Sequence, residues 1–208
     1  MEAILTLPLL GRYFTIPPSR YLLNQLRRLL TRGKKWGPQR LQLWHHQDLQ
    51  LWMKFLQNVT NKGVPINNTV FVKPSVPLWS DACEYRIGGY SENGLAWIWR
   101  IPASWHGKLT LNLLEFLASA VTIYMTIYMT ILKLGQGSHI LALTDSSSAL
   151  DWMHKSSFDP VNAESQYELA IWLGWTLVSH ETYLYSQHIR GTEKIIADSL
   201  LRDFHRSE

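Results

Sequence analysis

Four acidic residues stand in apolar surroundings: Asp81 in WSDAC, Glu115 in LNLLEFLASA, Asp145 in LTDSSSAL and Asp198 in IIADSLL. A carboxylate embedded in such sequence carries a large desolvation cost unless something cationic compensates it. The only cysteine is Cys83, and there is no HExxH-type histidine pair, so soft or borderline metals have no ligand set here. Carboxylate oxygens suit hard divalent cations, Mg²⁺ first. Each acid also has an ordinary reading. Asp145, ending an apolar run before a helix, is a natural N-cap, and Glu115, near a helix start, complements the helix dipole. Only the set of four, in this order, points to chemistry.

The elements that must position these acids can be read from periodicity. LWSDA, RIGGY and LAWIWRIP have the character of short strands joined by turns such as Glu92-Asn93-Gly94. A long apolar segment follows, then the strand-like HILALTD, a short helix in SSSALDWMHK, a helix over residues 160–180, a strand in TYLYSQHI and a last helix in GTEKIIADSLLRDF. The order βββ, α, β, α, α, β, α predicts a mixed α/β sheet flanked by helices, hairpins first and crossovers later. Upstream, helices are expected over residues 18–32 and 46–59, ahead of the link Lys73-Pro74-Ser75-Val76-Pro77. His45 and His46 are adjacent, the wrong spacing for two ligands on one helix face, and read as surface or packing residues.

Charge divides the chain at the same place. Residues 1–75 hold eleven Lys/Arg against two acids, a net +9, and residues 76–208 hold nine against fourteen, a net −5. A basic arm on an acidic body suits a protein that grips a polyanion with one part and holds cations with the other. Arg27, Arg28, Lys34 and Lys35 in the arm, with Arg86, Arg100 and Arg190 in the body, are the candidate phosphate contacts. Trp97, Trp99 and Trp105 could stack on bases or fill the core, and Gly88-Gly89 could admit a nucleic-acid backbone or form a β-bulge. The acidic N-terminus MEAILTLPLLG lacks the basic residues of a secretory signal, so an intracellular protein is expected, cytoplasmic or nuclear.

The blocks SDACEYRIGGY, LNLLEFLASAV, LALTDSSSAL and SQHIRGTEKIIADSLLRDF resemble the four signature blocks of the ribonuclease H domain of retroelement reverse transcriptases, with gypsy-like and DIRS-like elements the most similar. The resemblance covers about residues 76–204. Upstream, GRYFTIPPSRYLLNQLRRLL and DLQLWMKFLQ are similar to the thumb and connection segments of such polyproteins. The resemblance implies a ribonuclease H-like five-stranded mixed sheet flanked by helices (residues 76–208), preceded by a basic helical extension (residues 1–75). It implies an Asp81, Glu115, Asp145, Asp198 site holding two Mg²⁺ ions, with Mn²⁺ as a substitute. It also implies hydrolysis of the RNA strand of RNA–DNA hybrids and association with other parts of a polyprotein. Lys194 stands four residues before Asp198, where the family commonly carries Asn. His188 could serve as a general acid, but it falls at the end of the last strand, where the family often carries an aromatic residue or His of structural use. The alternative is a catalytically degenerate module that keeps the fold and binds nucleic acid without turnover.

The segment between Glu115 and Asp145 repeats TIYM at 122–125 and 126–129, inside 17 uncharged residues from Phe116 to Leu132. That run is shorter than the ~20 residues a bilayer core requires, and no membrane partner is expected. At helical period Glu115, Ser119, Thr122, Thr126, Thr130 and Lys133 form one small or polar stripe. The repeat is then expected to extend the far end of a helix that carries Glu115.

Overall fold

The sequence VPLWSDAC alternates in burial residue by residue: Val76, Leu78, Ser80 and Ala82 point into the interior, and the residues between them are half-buried. In the computed structural model, which describes residues 73–134, 138–155 and 163–193 and the separate positions 46, 49, 50, 53, 54, 57, 61, 196 and 199, this segment is the central strand of a sheet. We number it β1 (Val76–Cys83), followed by β2 (Arg86–Ser91), β3 (Ala96–Arg100), β4 (His139–Thr144) and β5 (Tyr183–His188). The order across the sheet is β3-β2-β1-β4-β5. Two hairpins make β1, β2 and β3 antiparallel, and β4 and β5 add in parallel to β1 and to each other. Parallel neighbours need crossovers, which are supplied by three helices: α1 (Leu111–Leu134), α2 (Ser147–Lys155) and α3 (Ala163–Ser179). This is the expected α/β architecture, a five-stranded mixed sheet of the ribonuclease H-like class.

Of the N-terminal extension, His46, Leu49, Gln50, Met53, Lys54, Gln57 and Asn61 are helical, and all but the half-buried Leu49 are exposed; the rest of the helix expected over 46–59 lies outside the described residues. The helix expected over 18–32 lies outside the described residues. Ile196 and Ser199 are helical, in the segment where the last helix is expected.

The core forms two clusters. The larger joins Leu78, Ile140, Ala142 and Leu184 of the sheet to Phe116, Ile123 and Ile127 of α1, Trp152 and Met153 of α2, and Leu173 and Leu177 of α3. The smaller packs Ala82, Ile87 and Ile101 against Leu114 and Ala118. Helix α1 has the length and apolarity of a membrane span over Leu111–Met129, yet 61% of that window is buried inside the fold. It is the core helix of the domain.

The polar stripe of α1 is buried as well. Ser119, Thr122 and Thr126 are fully enclosed. Ser119 Oγ lies 2.8 Å from Ser80 Oγ. Thr122 Oγ1 donates to the Ala118 carbonyl at 2.7 Å and accepts the Trp97 indole N–H at 3.1 Å. Thr126 Oγ1 is buried without a hydrogen bond. Small side chains along this stripe let the helix lie close to the sheet. Gly89 completes the approach: a Cβ there would overlap Thr122 and sit 2.8 Å from the Trp79 carbonyl. The two readings of Gly88-Gly89 are therefore corrected. Pairing runs through both glycines without an extra residue on either side, so there is no bulge, and the space over Gly89 is taken by α1 rather than left for a nucleic acid.

Candidate metal centre

Each acid of the site is delivered by a different element. Asp81 is in β1, opposite Gly88 of β2. The parallel register pairs Trp79 with Leu143, and two residues further along it Asp81 comes level with Asp145, just past the end of β4. Glu115 is the fifth residue of α1 and only 7% exposed. Its helix starts after Thr110, whose Oγ1 lies 3.4 Å from the Leu113 N–H. Oxygens of the Asp81, Glu115 and Asp145 carboxylates all lie within 4.8 Å of one another. Three of the four expected acids thus converge. Asp198, and Lys194 before it, lie outside the described residues.

Asp145 is not the N-cap of α2. That place belongs to Ser146, whose Oγ accepts from the Ala149 N–H at 3.2 Å and whose carbonyl accepts the Leu150 N–H at 3.1 Å. The Ser146 N–H in turn donates to Thr144 Oγ1 at 3.1 Å. A serine of the SSS run takes over the capping, and the aspartate side chain is left to the site. The strand end is held from the other side by β5. The Ile189 N–H donates to the Thr144 carbonyl at 3.0 Å, and His188 Nε2 lies 3.0 Å from the Asp145 carbonyl. This contact is the structural use expected of His188. Three residues after His188, Gly191 brings its backbone against the Asp145 carboxylate, where an added Cβ would lie 3.2 Å from Oδ2.

The donor set fits a hard divalent cation. It consists of oxygens alone, it is strongly anionic, and it is compact. Opposite ligands lie about 4 Å apart around Mg²⁺ and about 5 Å apart around Ca²⁺, so a spread of 4.8 Å needs little closure to bind one ion. Glu115 is engaged with its surroundings, yet its Oε2 is buried and accepts no hydrogen bond. That is a suitable place for a metal–oxygen bond.

The expected nucleic-acid contacts separate. Arg190 is exposed, beside Gly191 and hence beside the site. Arg86 is 7% exposed at the start of β2, paired with Cys83 and Arg100, so its guanidinium is enclosed by the fold. Arg27, Arg28, Lys34 and Lys35 lie outside the described residues. Of the tryptophans, Trp97 is a structural residue bonded to Thr122, whereas Trp99 and Trp105 are exposed and meet edge-on at 5.7 Å. Ser146 and Gly191 were not singled out in the sequence. A serine directly after the strand-ending Asp was a usable signal for the first; the role of the second depends on where β5 ends in space.

A scan against protein families gives no match, and neither does a search of curated proteins. Among solved structures, the chain is similar to the foamy viral protease-reverse transcriptase dRH in complex with ds DNA, at 15% identity and a TM-score of 0.32, over 89% of this chain and 33% of that one. The chain therefore spans about a third of the length of that protein. The fold assignment rests on the sheet order and crossovers of this chain itself.

Proposed function

We propose that this protein is a ribonuclease H-type endonuclease that hydrolyses the RNA strand of RNA–DNA hybrids, derived from a retroelement reverse transcriptase of gypsy-like or DIRS-like type. The observation that carries the reading is the convergence of the Asp81, Glu115 and Asp145 carboxylates within 4.8 Å on a ribonuclease H-like sheet. Asp81 would be shared by two Mg²⁺ ions (or Mn²⁺). Glu115 and Asp145 would complete the ion beside the leaving 3′ oxygen, and Asp198 would complete the ion beside the attacking water. When bound, the cations supply activation of that water and neutralisation of the leaving oxygen. The chain's own task is to hold four carboxylates in place and to keep a duplex over them, with Arg190 near the site and Arg27, Arg28, Lys34 and Lys35 in the basic extension as phosphate contacts. The same reading places the protein inside the cell, in cytoplasm or nucleus, alongside other parts of a reverse transcriptase polyprotein.

Incubating the purified protein with a hybrid labelled on its RNA strand tests this. Cleavage is expected with Mg²⁺, none with a chelator, and a loss of roughly a hundredfold or more in Asp81→Asn. A hybrid that is bound but stays intact with Mg²⁺ or Mn²⁺ would overturn the catalytic reading in favour of the non-catalytic binding module.

A further inference from the structure

Gly191 begins a short 3-10 turn three residues after β5, and its backbone is set against Asp145. The glycine is not there for its backbone freedom. Among the described residues the glycines with positive φ are Gly94 and Gly107, so the conformation at 191 is one that any residue adopts. Its distinguishing feature is the space a side chain would fill. A Cβ at 191 would lie 3.2 Å from Asp145 Oδ2, its one neighbour within 4 Å among the described residues beyond those adjacent in the chain. The close neighbour of that missing side chain is thus one carboxylate oxygen of the acid cluster.

We infer that Gly191 is a positioning residue for the cation site: its bare Cα spares Asp145 Oδ2 a close contact that would turn the carboxylate, while the two residues before Arg190 fix the strand end. The inference rests on the metal-site reading above and deepens it. The fixing contacts are the Ile189 N–H to the Thr144 carbonyl and His188 Nε2 to the Asp145 carbonyl, both at 3.0 Å. They tie the chain immediately before Gly191 to the residues that carry the carboxylate, so neither can drift away from a new methyl group. The carboxylate is then the group that gives, and a shift of its oxygen by a few tenths of an ångström weakens its bond to a small ion that demands near-ideal octahedral geometry. Residues that orient a ligand in this way affect metal affinity about 10- to 100-fold when changed.

Binding of Mn²⁺, followed by the paramagnetic signal of the free ion, and the rise in melting temperature with added Mg²⁺ test this directly on the full chain, without reference to cleavage. Gly191→Ala and Gly191→Ser are expected to melt as the wild type does in chelator. Both are expected to bind Mn²⁺ about tenfold or more weakly, with a matching loss of the Mg²⁺-dependent rise. Should both variants keep wild-type Mn²⁺ affinity, or lose stability in chelator while keeping the full metal-dependent rise, Gly191 is a packing residue and the inference fails. A wild type that itself binds no Mn²⁺ is a different result: it removes the metal-site reading, and the inference with it.

Discussion

Three carboxylates within 4.8 Å of one another repel. At an effective dielectric of about 20, each pair at that distance costs about 3–4 kcal/mol. The figure is an upper bound here, because Asp81 and Asp145 are half-exposed and water screens them. Glu115, buried at the base of the cluster, has the least screening. Removing its charge while keeping its shape should relieve the repulsion and weaken the metal site together. Glu115→Gln is therefore expected to melt a few degrees higher than wild type in chelator, for a gain of about 1 kcal/mol, and to lose most of the rise that Mg²⁺ gives the wild type. A lower melting temperature in chelator would show instead that the other contacts of Glu115 outweigh the repulsion. At this scale the acids were legible from the sequence, because a charged residue type inside an apolar run is visible in one dimension. The capping serine was only partly so, since Asp145 and Ser146 compete for one position and the winner depends on where β4 ends. Gly191 was not legible at all: its neighbour is 46 positions away in the chain.

Among the elements, α1 joins the site to the core, and the TIYM repeat is part of that core rather than a free extension. Ile123 and Thr122 of the first copy and Ile127 and Thr126 of the second are all fully buried. Deleting residues 126–129 brings Thr130 and Ile131 into the helical positions of Thr126 and Ile127, so both buried side chains are restored in kind. Tyr128 is replaced by Leu132, and its ring contacts with Tyr124 at 4.8 Å and His180 at 5.6 Å are lost. The helix also ends about 6 Å earlier, which strains the connection to β4. The deletion is expected to lower the melting temperature and to leave the Mg²⁺-dependent rise intact; loss of that rise would mean that the register of α1 at Glu115 depends on the repeat. The β4–β5 pair gives a second expectation. His139 opens β4 with its ring stacked on Tyr183 at 4.6 Å, and its Nε2 is buried without a hydrogen bond. Burial holds its pKa below the ordinary value of 6.5. The unfolded chain therefore takes up this proton before the folded one does, so the stability present above pH ~6.5 is lost as pH falls toward and through the lowered folded value. Between pH ~7 and ~5 the wild-type melting temperature should fall more steeply than that of His139→Phe, which keeps an aromatic ring against Tyr183. Equal slopes would assign the fall to other groups. Element order was legible because periods 2 and 3.6 are printed in the side chains. The meeting of Gly89 with Thr122 was not, because close approach of a helix to a sheet is decided by both surfaces at once.

Across the whole molecule, the division between residues 1–75 at +9 and residues 76–208 at −5 separates two kinds of work. An acidic body concentrates cations at its carboxylates and repels a polyanion, so a nucleic acid over the site needs positive charge from elsewhere. Among the described residues of the body, Arg100, Lys108 and Arg190 are exposed and Arg86 is enclosed, against eleven Lys/Arg in the extension, which makes the extension the larger source. If Arg27, Arg28, Lys34 and Lys35 each neutralise one phosphate, replacing all four by alanine should reduce the slope of log affinity against log salt by about 3–4. Affinity for the hybrid should then fall strongly at low salt and little at high salt, because counterion release is the term removed. Metal binding by the acid cluster should be untouched, since those carboxylates belong to the other part of the chain. Titrating hybrid binding in chelator at several salt concentrations measures the slope without any cleavage. An unchanged slope would mean that the extension does not hold the duplex. In that case Arg190 beside the site, and the exposed, edge-on pair Trp99 and Trp105, become the residues to change next. A duplex held by the basic extension leaves the acidic body free to be tuned for its cations alone.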